Sequence, residues 1–335
     1  MKNNYRMTDR KIRAAIIGGA GYTGGEACRL LTFHPSVELA YVHSVSNAGN
    51  LICDVHTDLV GDTDMRFTDT LSSDVDVMFL CLGHGDSRKF LENNHIDDNV
   101  RIIDLSQDFR LAAGSSSGSR SFVYGLPEMN ADKIATAHDI ANPGCFATAI
   151  QLALLPLASA GALADEVHIS AATGSTGAGQ KPTSTTHFSW RHANFSSYKT
   201  FTHQHLHEIG ESLTGLQPSF DKALNFIPYR GDFARGILAS AYTRFDGSID
   251  EALALYRDYY EDAAFTFVSE RPVSLKQVVN TNKCLLSLEK HDDKLLVTSV
   301  IDNLLKGASG QAVQNMNIMF GLPEREGLGL KPSAF

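Results

Sequence analysis

Short apolar runs, each closed by glycine or polar residues, alternate with helix-compatible stretches through the first half of the chain. Residues 11–18 (KIRAAIIG), 37–43, 75–82 and 101–105 read as strands, Glu26-Ala27-Cys28-Arg29-Leu30-Leu31 opens the first helix between them, and 139–141 leads into a turn. That alternation predicts a parallel sheet with crossover helices. Past residue 148 the pattern changes. An apolar helix is followed by strands at 166–172 and 238–242, an amphipathic helix at 249–264, and paired strands at 285–288 and 295–301 with their turn at 291–293. A last helix, residues 310–320 closed by Gly321, is expected to fold back on the first half. The expected fold class is α/β: a parallel-sheet domain of residues 1–147 completed by 308–335, and an α+β domain of residues 148–307.

The first turn specifies the kind of parallel sheet. The strand at 11–18 runs directly into Gly18-Gly19-Ala20-Gly21-Tyr22-Thr23-Gly24, and a helix begins at once. Gly19, Gly21 and Gly24 satisfy G-x-G-x-x-G, with strand before and helix after. Such a turn brings backbone N–H groups and a helix N-terminus against a pyrophosphate, so a Rossmann-type dinucleotide site is expected. An NAD site places an acid at the end of the second strand; here His43, Ser44 and Ser46 stand without one, which favours NADP(H). Gly83 and His84, after the strand at 75–82, suit a loop lying along the nicotinamide and ribose. Arg110 follows the strand at 101–105, where open α/β sheets place ligand groups, and its guanidinium suits an oxyanion. Residues 114–121 (GSSSGSRS) read as a mobile loop.

Candidate chemistry centres on Asn142-Pro143-Gly144-Cys145, a tight turn leading into an apolar helix. A cysteine in the first turn of a helix faces unpaired N–H groups and the positive end of the macrodipole, so a thiolate nucleophile is expected. The plainer alternative is a buried, inert cysteine. Ser175 and Lys181 belong to a glycine- and hydroxyl-rich loop at 173–182 able to wrap an anion, or else to a flexible surface loop. His203, His205 and His207, followed by Glu208, admit three readings: a metal site, an acid/base histidine beside the thiol, or a solvated helix start. If that segment is helical, His203 and His207 share a face. Arg230 and Arg235 are candidate carboxylate clamps.

Composition narrows the class. The chain has 335 residues, 43% hydrophobic, with net charge −9 and interspersed signs, so no basic footprint for nucleic acid is present. No apolar stretch approaches a membrane span. The polar start MKNNYRMTDRK lacks the apolar region of a secretory signal, and five scattered cysteines without a C-x-x-C pair indicate free thiols. A cytoplasmic location is expected.

The ordered motifs GGAGYTGGE, DLSQDFR, YGLPE, NPGCFATA, GSTGAGQKP, HQHLHEI, ARGI and DNLLKGASGQAVQNMNIMFGLPE closely resemble the N-acetyl-γ-glutamyl-phosphate reductases. Those belong to the aspartate-semialdehyde dehydrogenase group of acyl-phosphate reductases, and the likeness runs nearly end to end. It implies a nucleophile at Cys145, proton transfer by His205 or His203, and leaving-group stabilisation at Arg110. It further implies a family role for Glu208, no metal, and a homodimer or homotetramer working in arginine biosynthesis; in the mechanism that follows, oxyanion help from Asn142 and substrate contacts from Ser175, Lys181, Glu208 and Arg235 are expected. Two departures stand out: His207 where the family has proline, and a longer segment, 229–233, before Arg235. Both lie where the distal end of a substrate would bind, which leaves N-acetyl and N-succinyl substrates open. Aspartate-semialdehyde dehydrogenase is the alternative with the same chemistry. A zinc hydrolase on the three histidines and a turnover-free nucleotide sensor are the others, and neither accounts for the NPGC turn.

Overall fold

The computed structural model describes residues 10–333, so the polar stretch 1–9 and the final two residues of the expected 308–335 segment lie outside the described residues. The first sheet has eight strands, in the order Phe67–Thr68, Val37–His43, Ile12–Ile17, Val77–Leu80, Arg101–Asp104, Asp139–Ala141, Arg120–Tyr124 and Ser116–Ser117. All pairs are parallel except the last hairpin. Its central strands, Ile12–Ile17, Val77–Leu80 and Arg101–Asp104, are largely apolar because both faces are covered. Ala14, Ile16, Val77, Phe79 and Ile103 join one core cluster; Ala15, Ile17, Met78, Leu80 and Ile102 join another. Strand order reverses between Ile12–Ile17 and Val77–Leu80, the switch point where such sheets open a ligand crevice at their carboxyl ends. The Gly310–Met319 helix returns to this domain, burying Ala312, Val313 and Met316 with Ala27, Leu30 and Leu31 of the Tyr22–Thr32 helix.

The second sheet has seven strands of mixed direction, in the order Ser196–Ser197, Leu224–Arg230, Val167–Thr173, Ile237–Arg244, Lys294–Ile301, Cys284–His291 and Thr266–Ser269. Helices Cys145–Ser159, His205–Leu216 and Ile249–Tyr259 cover one face. The Cys145–Ser159 helix is buried from Phe146 through Ala158, which is why its sequence is apolar all round rather than amphipathic. It is the shared wall of the two halves.

Two expectations change. Residues 114–121 were expected as a mobile loop. Instead, Ser116–Ser117 and Arg120–Tyr124 form a hairpin turning at Gly118 (φ +57°), held by Arg88 donating to the carbonyls of Asp108, Gly114 and Ser116. The strand Leu224–Arg230 was not expected, because Pro228 lies inside it; the strand sits next to the sheet edge, where proline is tolerated. No helix among the described residues is long and apolar enough to cross a membrane.

Candidate active site

The helix begins at Cys145 itself, with Gly144 as its cap. Gly144 is required by space: a Cβ there would lie 2.3 Å from His205 Nε2 and 2.8 Å from Arg110 Nη1. On the other side Gly307 closes in, since a Cβ at that position would lie 2.8 Å from Cys145 Cβ. Cys145 is thus wedged between a histidine–arginine pair and a turn of π-helix, Leu305–Ser309. A cavity of about 380 Å³ opens over it, lined by Cys145, His203, His205, Arg110, Tyr198, Gly83 and His84, with Gly21, Tyr22 and Thr23 on one side and Thr176–Gln180 on the other.

Arg110 is held on three sides. It donates from Nε to the Asn142 carbonyl (2.8 Å), from Nη2 to the Leu105 carbonyl (2.9 Å), and from Nη1 to Glu208 Oε1 (3.0 Å). Glu208, equally buried, accepts through Oε2 from the Tyr124 hydroxyl and from the Gly144 N–H, both at 3.0 Å. Tyr124 in turn accepts from Gln151 Nε2 (2.7 Å). The carboxylate therefore fixes the arginine and the cap residue together. That assigns Glu208 a supporting place beside the cavity, not one among its lining residues.

Burial dominates the local acid–base properties. It pushes the Cys145 thiol up to about 11, although the Phe146 N–H and the Arg110 charge pull downward. That direction runs against the expected thiolate, because desolvation outweighs the pull of the helix N-terminus. Burial, then Arg110, holds His205 well below its usual range; burial, then Lys199 and Arg230, brings His203 down to about 4. Both rings are neutral at neutral pH, their centroids 4.6 Å apart. His203 Nδ1 accepts the His205 backbone N–H (3.2 Å), while His205 Nδ1 has no hydrogen-bond partner.

The histidine segment does not follow the expected helical face. The helix starts at His205, so His203 precedes it and packs beside His205, while His207 is exposed on another side. Among the described residues no group of three His, Cys, Asp or Glu side chains is arranged to hold a metal ion, so the triple-histidine reading has no site to build on.

The dinucleotide turn fits its ligand. Gly18 has φ +80°, and a Cβ at Gly24 would lie 2.7 Å from the Gly18 carbonyl, so those two glycines close the turn. The Gly21 N–H donates to the Gly18 carbonyl (3.4 Å), and a Cβ at Gly21 would meet nothing nearer than 3.9 Å, so there is open space beside the turn for a close ligand. Ala20 and Gly19 continue the turn, and Gly18 and Gly19 donate to the His43 carbonyl. Ser44 and Ser46 lie at the end of the second strand, their hydroxyls accepting from Asn47 Nδ2. His84 Nδ1 accepts the Gln107 N–H (3.2 Å) at the cavity wall.

Other expected site residues stand elsewhere. The Asn142 amide faces away, donating to the Ala308 carbonyl and accepting from Asn315, so it is not positioned for an oxyanion. Thr176–Gln180, not Ser175 or Lys181, line the cavity; Lys181 is exposed just beyond. Arg235 lies outside it, paired with Glu26 and Asp302. Sequence reasoning missed Tyr124 and Gln151 beneath the nucleophile, Tyr198 with Arg230 stacked 4.5 Å over its ring, and the Gly307 turn. Only the glycine spacing of the last hinted at a close approach.

The semialdehyde dehydrogenase NAD-binding domain model matches residues 13–137, and the semialdehyde dehydrogenase dimerisation domain model matches residues 145–303. An N-acetyl-γ-glutamyl-phosphate reductase of Christiangramia forsetii is 57% identical over 97% of this chain and 100% of its own length. One from Parabacteroides distasonis is 57% identical with the same coverage. The chain belongs to the N-acetyl-γ-glutamyl-phosphate reductase family. Among solved structures, aspartate semialdehyde dehydrogenase II of Vibrio cholerae, complexed with ASA, matches with a TM-score of 0.68 at 17% identity, covering 93% of this chain and 99% of that one. The Candida albicans aspartate semialdehyde dehydrogenase with NADP gives 0.70 at 14% identity over 92% and 98%. These two likenesses establish the fold of this chain.

Proposed function

We propose that this chain reduces N-acetyl-γ-glutamyl phosphate to the 5-semialdehyde and phosphate with NADPH, through a thioester on Cys145. The observation that carries the reading is one cavity holding Cys145, His205 and Arg110 at the mouth of a dinucleotide turn. A neutral imidazole has a free lone pair for the thiol proton, and the transfer is driven by formation of the C–S bond, which lowers the sulfur's hold on that proton. His205 takes the thiol proton as Sγ attacks the acyl carbon, and the C–O bond to phosphate breaks. The departing phosphate gains its proton from water, and the Arg110 charge stabilises it. The N–H groups at the helix start face the oxyanion. When bound along Gly18–Gly24, NADPH supplies the hydride that reduces the thioester carbonyl. His205 then returns its proton to the thiolate as the C–S bond breaks. His203 orients His205, because its Nδ1 already accepts the His205 backbone N–H.

The Thr176–Gln180 loop wraps the substrate's anionic end, with Lys181 at its rim supplying a cation for the carboxylate. Ser44 and Ser46 take the cofactor 2′-phosphate. The assembly is a homodimer or homotetramer in the cytoplasm: Phe188, Trp190, Phe195 and Phe201 are exposed along the 145–303 domain, as an interface surface would be. The test is phosphate-dependent NADP⁺ reduction with N-acetyl- and N-succinyl-glutamate semialdehyde side by side. A phosphate requirement supports the reading, and the faster substrate names the acyl group. NADPH binding without turnover of either would contradict it.

A further inference from the structure

Arg235 was expected to meet substrate, but its guanidinium is engaged elsewhere. Nε and Nη2 fork onto the two oxygens of Asp302 at 3.0 and 3.2 Å, and Nη1 donates to Glu26 Oε1 at 2.5 Å. Glu26 and Arg235 line a separate cavity of about 500 Å³ with Asp302 buried behind them, and Arg235 does not line the Cys145 cavity. What it joins is informative. Glu26 sits in the first turns of the Tyr22–Thr32 helix, two residues past Gly24, and also receives Arg29 at 2.7 Å. Asp302 is fully buried and accepts the N–H groups of Leu304 and Leu305 through Oδ1 and that of Asn280 through Oδ2. It therefore caps the π-helical turn whose Gly307 presses on Cys145.

The residues flanking Arg235 extend the same connection. The Gly236 N–H donates to Asn303 Oδ1 (2.7 Å), Asn303 Nδ2 donates to Thr176 Oγ1 (3.0 Å), and Thr176 Oγ1 donates to the Ala234 carbonyl (2.6 Å). Residues 234–236 thus touch the dinucleotide helix, the turn behind the nucleophile and the Thr176 loop at once. Two carboxylates face two arginines there, and the planar fork matches Asp302 in a way an ammonium cannot.

We propose that Arg235 is a positioning residue: it couples the dinucleotide helix to the substrate side of the cavity through the chain Glu26–Arg235–Asp302. Ordering the helix N-terminus on cofactor fixes Glu26, and Glu26 through Arg235 fixes the Gly307 turn and the Thr176 loop. This rests on cofactor binding at Gly18–Gly24 as proposed above, and coupling of this kind is reciprocal.

The test measures NADPH dissociation constants by fluorescence and semialdehyde KM in Arg235→Ala, Arg235→Lys, Glu26→Gln and the Arg235→Ala/Glu26→Gln double variant, with melting curves confirming a folded state. Coupling predicts roughly tenfold weaker NADPH binding in Arg235→Ala, partial recovery in Arg235→Lys, and a double variant no worse than the worse single one. Glu26→Gln, which touches no substrate, raises the semialdehyde KM about as much as it weakens NADPH. A rise in substrate KM alone in Arg235→Ala, with Glu26→Gln silent, would make Arg235 a substrate ligand and overturn the proposal. Unchanged NADPH affinity in the single variants would overturn it too. Failure of the wild-type protein to bind NADPH would instead remove the cofactor reading beneath it.

Discussion

At the scale of single residues, the site works through neutrality. Desolvation pushes the half-buried Cys145 thiol up to about 11 and holds His205 well below its usual range, so the proposed transfer runs between a thiol and a neutral imidazole. His205→Asn should lower kcat by about 10²–10⁴-fold while NADPH affinity stays unchanged, as measured by steady-state kinetics and fluorescence titration. Because His205 must be neutral to accept the proton and its folded value is depressed, the acid limb of kcat/KM for the free enzyme should fall below the ordinary histidine value of about 6.5. A pH–rate profile with its acid limb at or above that value would contradict the assignment. Gly144→Ala places a methyl 2.3 Å from His205 Nε2, so it should cut kcat by at least about tenfold through a displacement of under an ångström. The glycine loop, Cys145 and the paired histidines were legible in sequence because each rests on local backbone need or on motif order. The protonation state of Cys145 was not, because it depends on burial contributed by residues distant in the chain.

At the scale of elements, the turn Leu305–Ser309 carries more than its sequence announces. Lys306 is fully buried, its ammonium 2.7 Å from Glu128 Oε1 and 3.0 Å from Gln314 Oε1, with Thr266 also donating to Glu128. That pair ties the turn behind Cys145 to the Pro127–Thr136 helix of the other half. Lys306→Met leaves Glu128 buried without its cation, so urea unfolding should show a loss of about 3–5 kcal/mol; Lys306→Met/Glu128→Gln should recover much of it. No periodicity in the sequence marks these partners, since the ion pair spans 178 positions and its residues look like surface charges. The histidine segment misled for a related reason: helical spacing was applied from His203, whereas the helix begins at His205. Where strands are buried on both faces, as at Ile12–Ile17 and Val77–Leu80, composition alone was sufficient.

At the scale of the whole molecule, the cavity exists only because two sheets meet across the Cys145–Ser159 helix, with the dinucleotide turn on one side and the Thr176 loop on the other. The contact between halves is partly ionic, and that gives it a pH signature. Burial would raise Glu26, but hydrogen bonds and charge from Arg235 and Arg29 outweigh it and hold the carboxyl below its ordinary value of 4.5. A depressed carboxylate contributes stability above its unfolded value and loses it as pH falls through the folded one. The melting temperatures of wild type and Glu26→Gln should therefore differ at pH 7 and converge in acid, once the pH falls through the lowered folded value. A difference that persists unchanged into acid would show that the ion pair is not its source. Acylation of Cys145 is directly measurable. With acyl phosphate supplied and NADPH withheld, one equivalent of phosphate per active site should be released in a burst, and peptide mass analysis should place the acyl group on Cys145. A burst absent from active enzyme, or an acylated peptide lacking Cys145, would contradict the account.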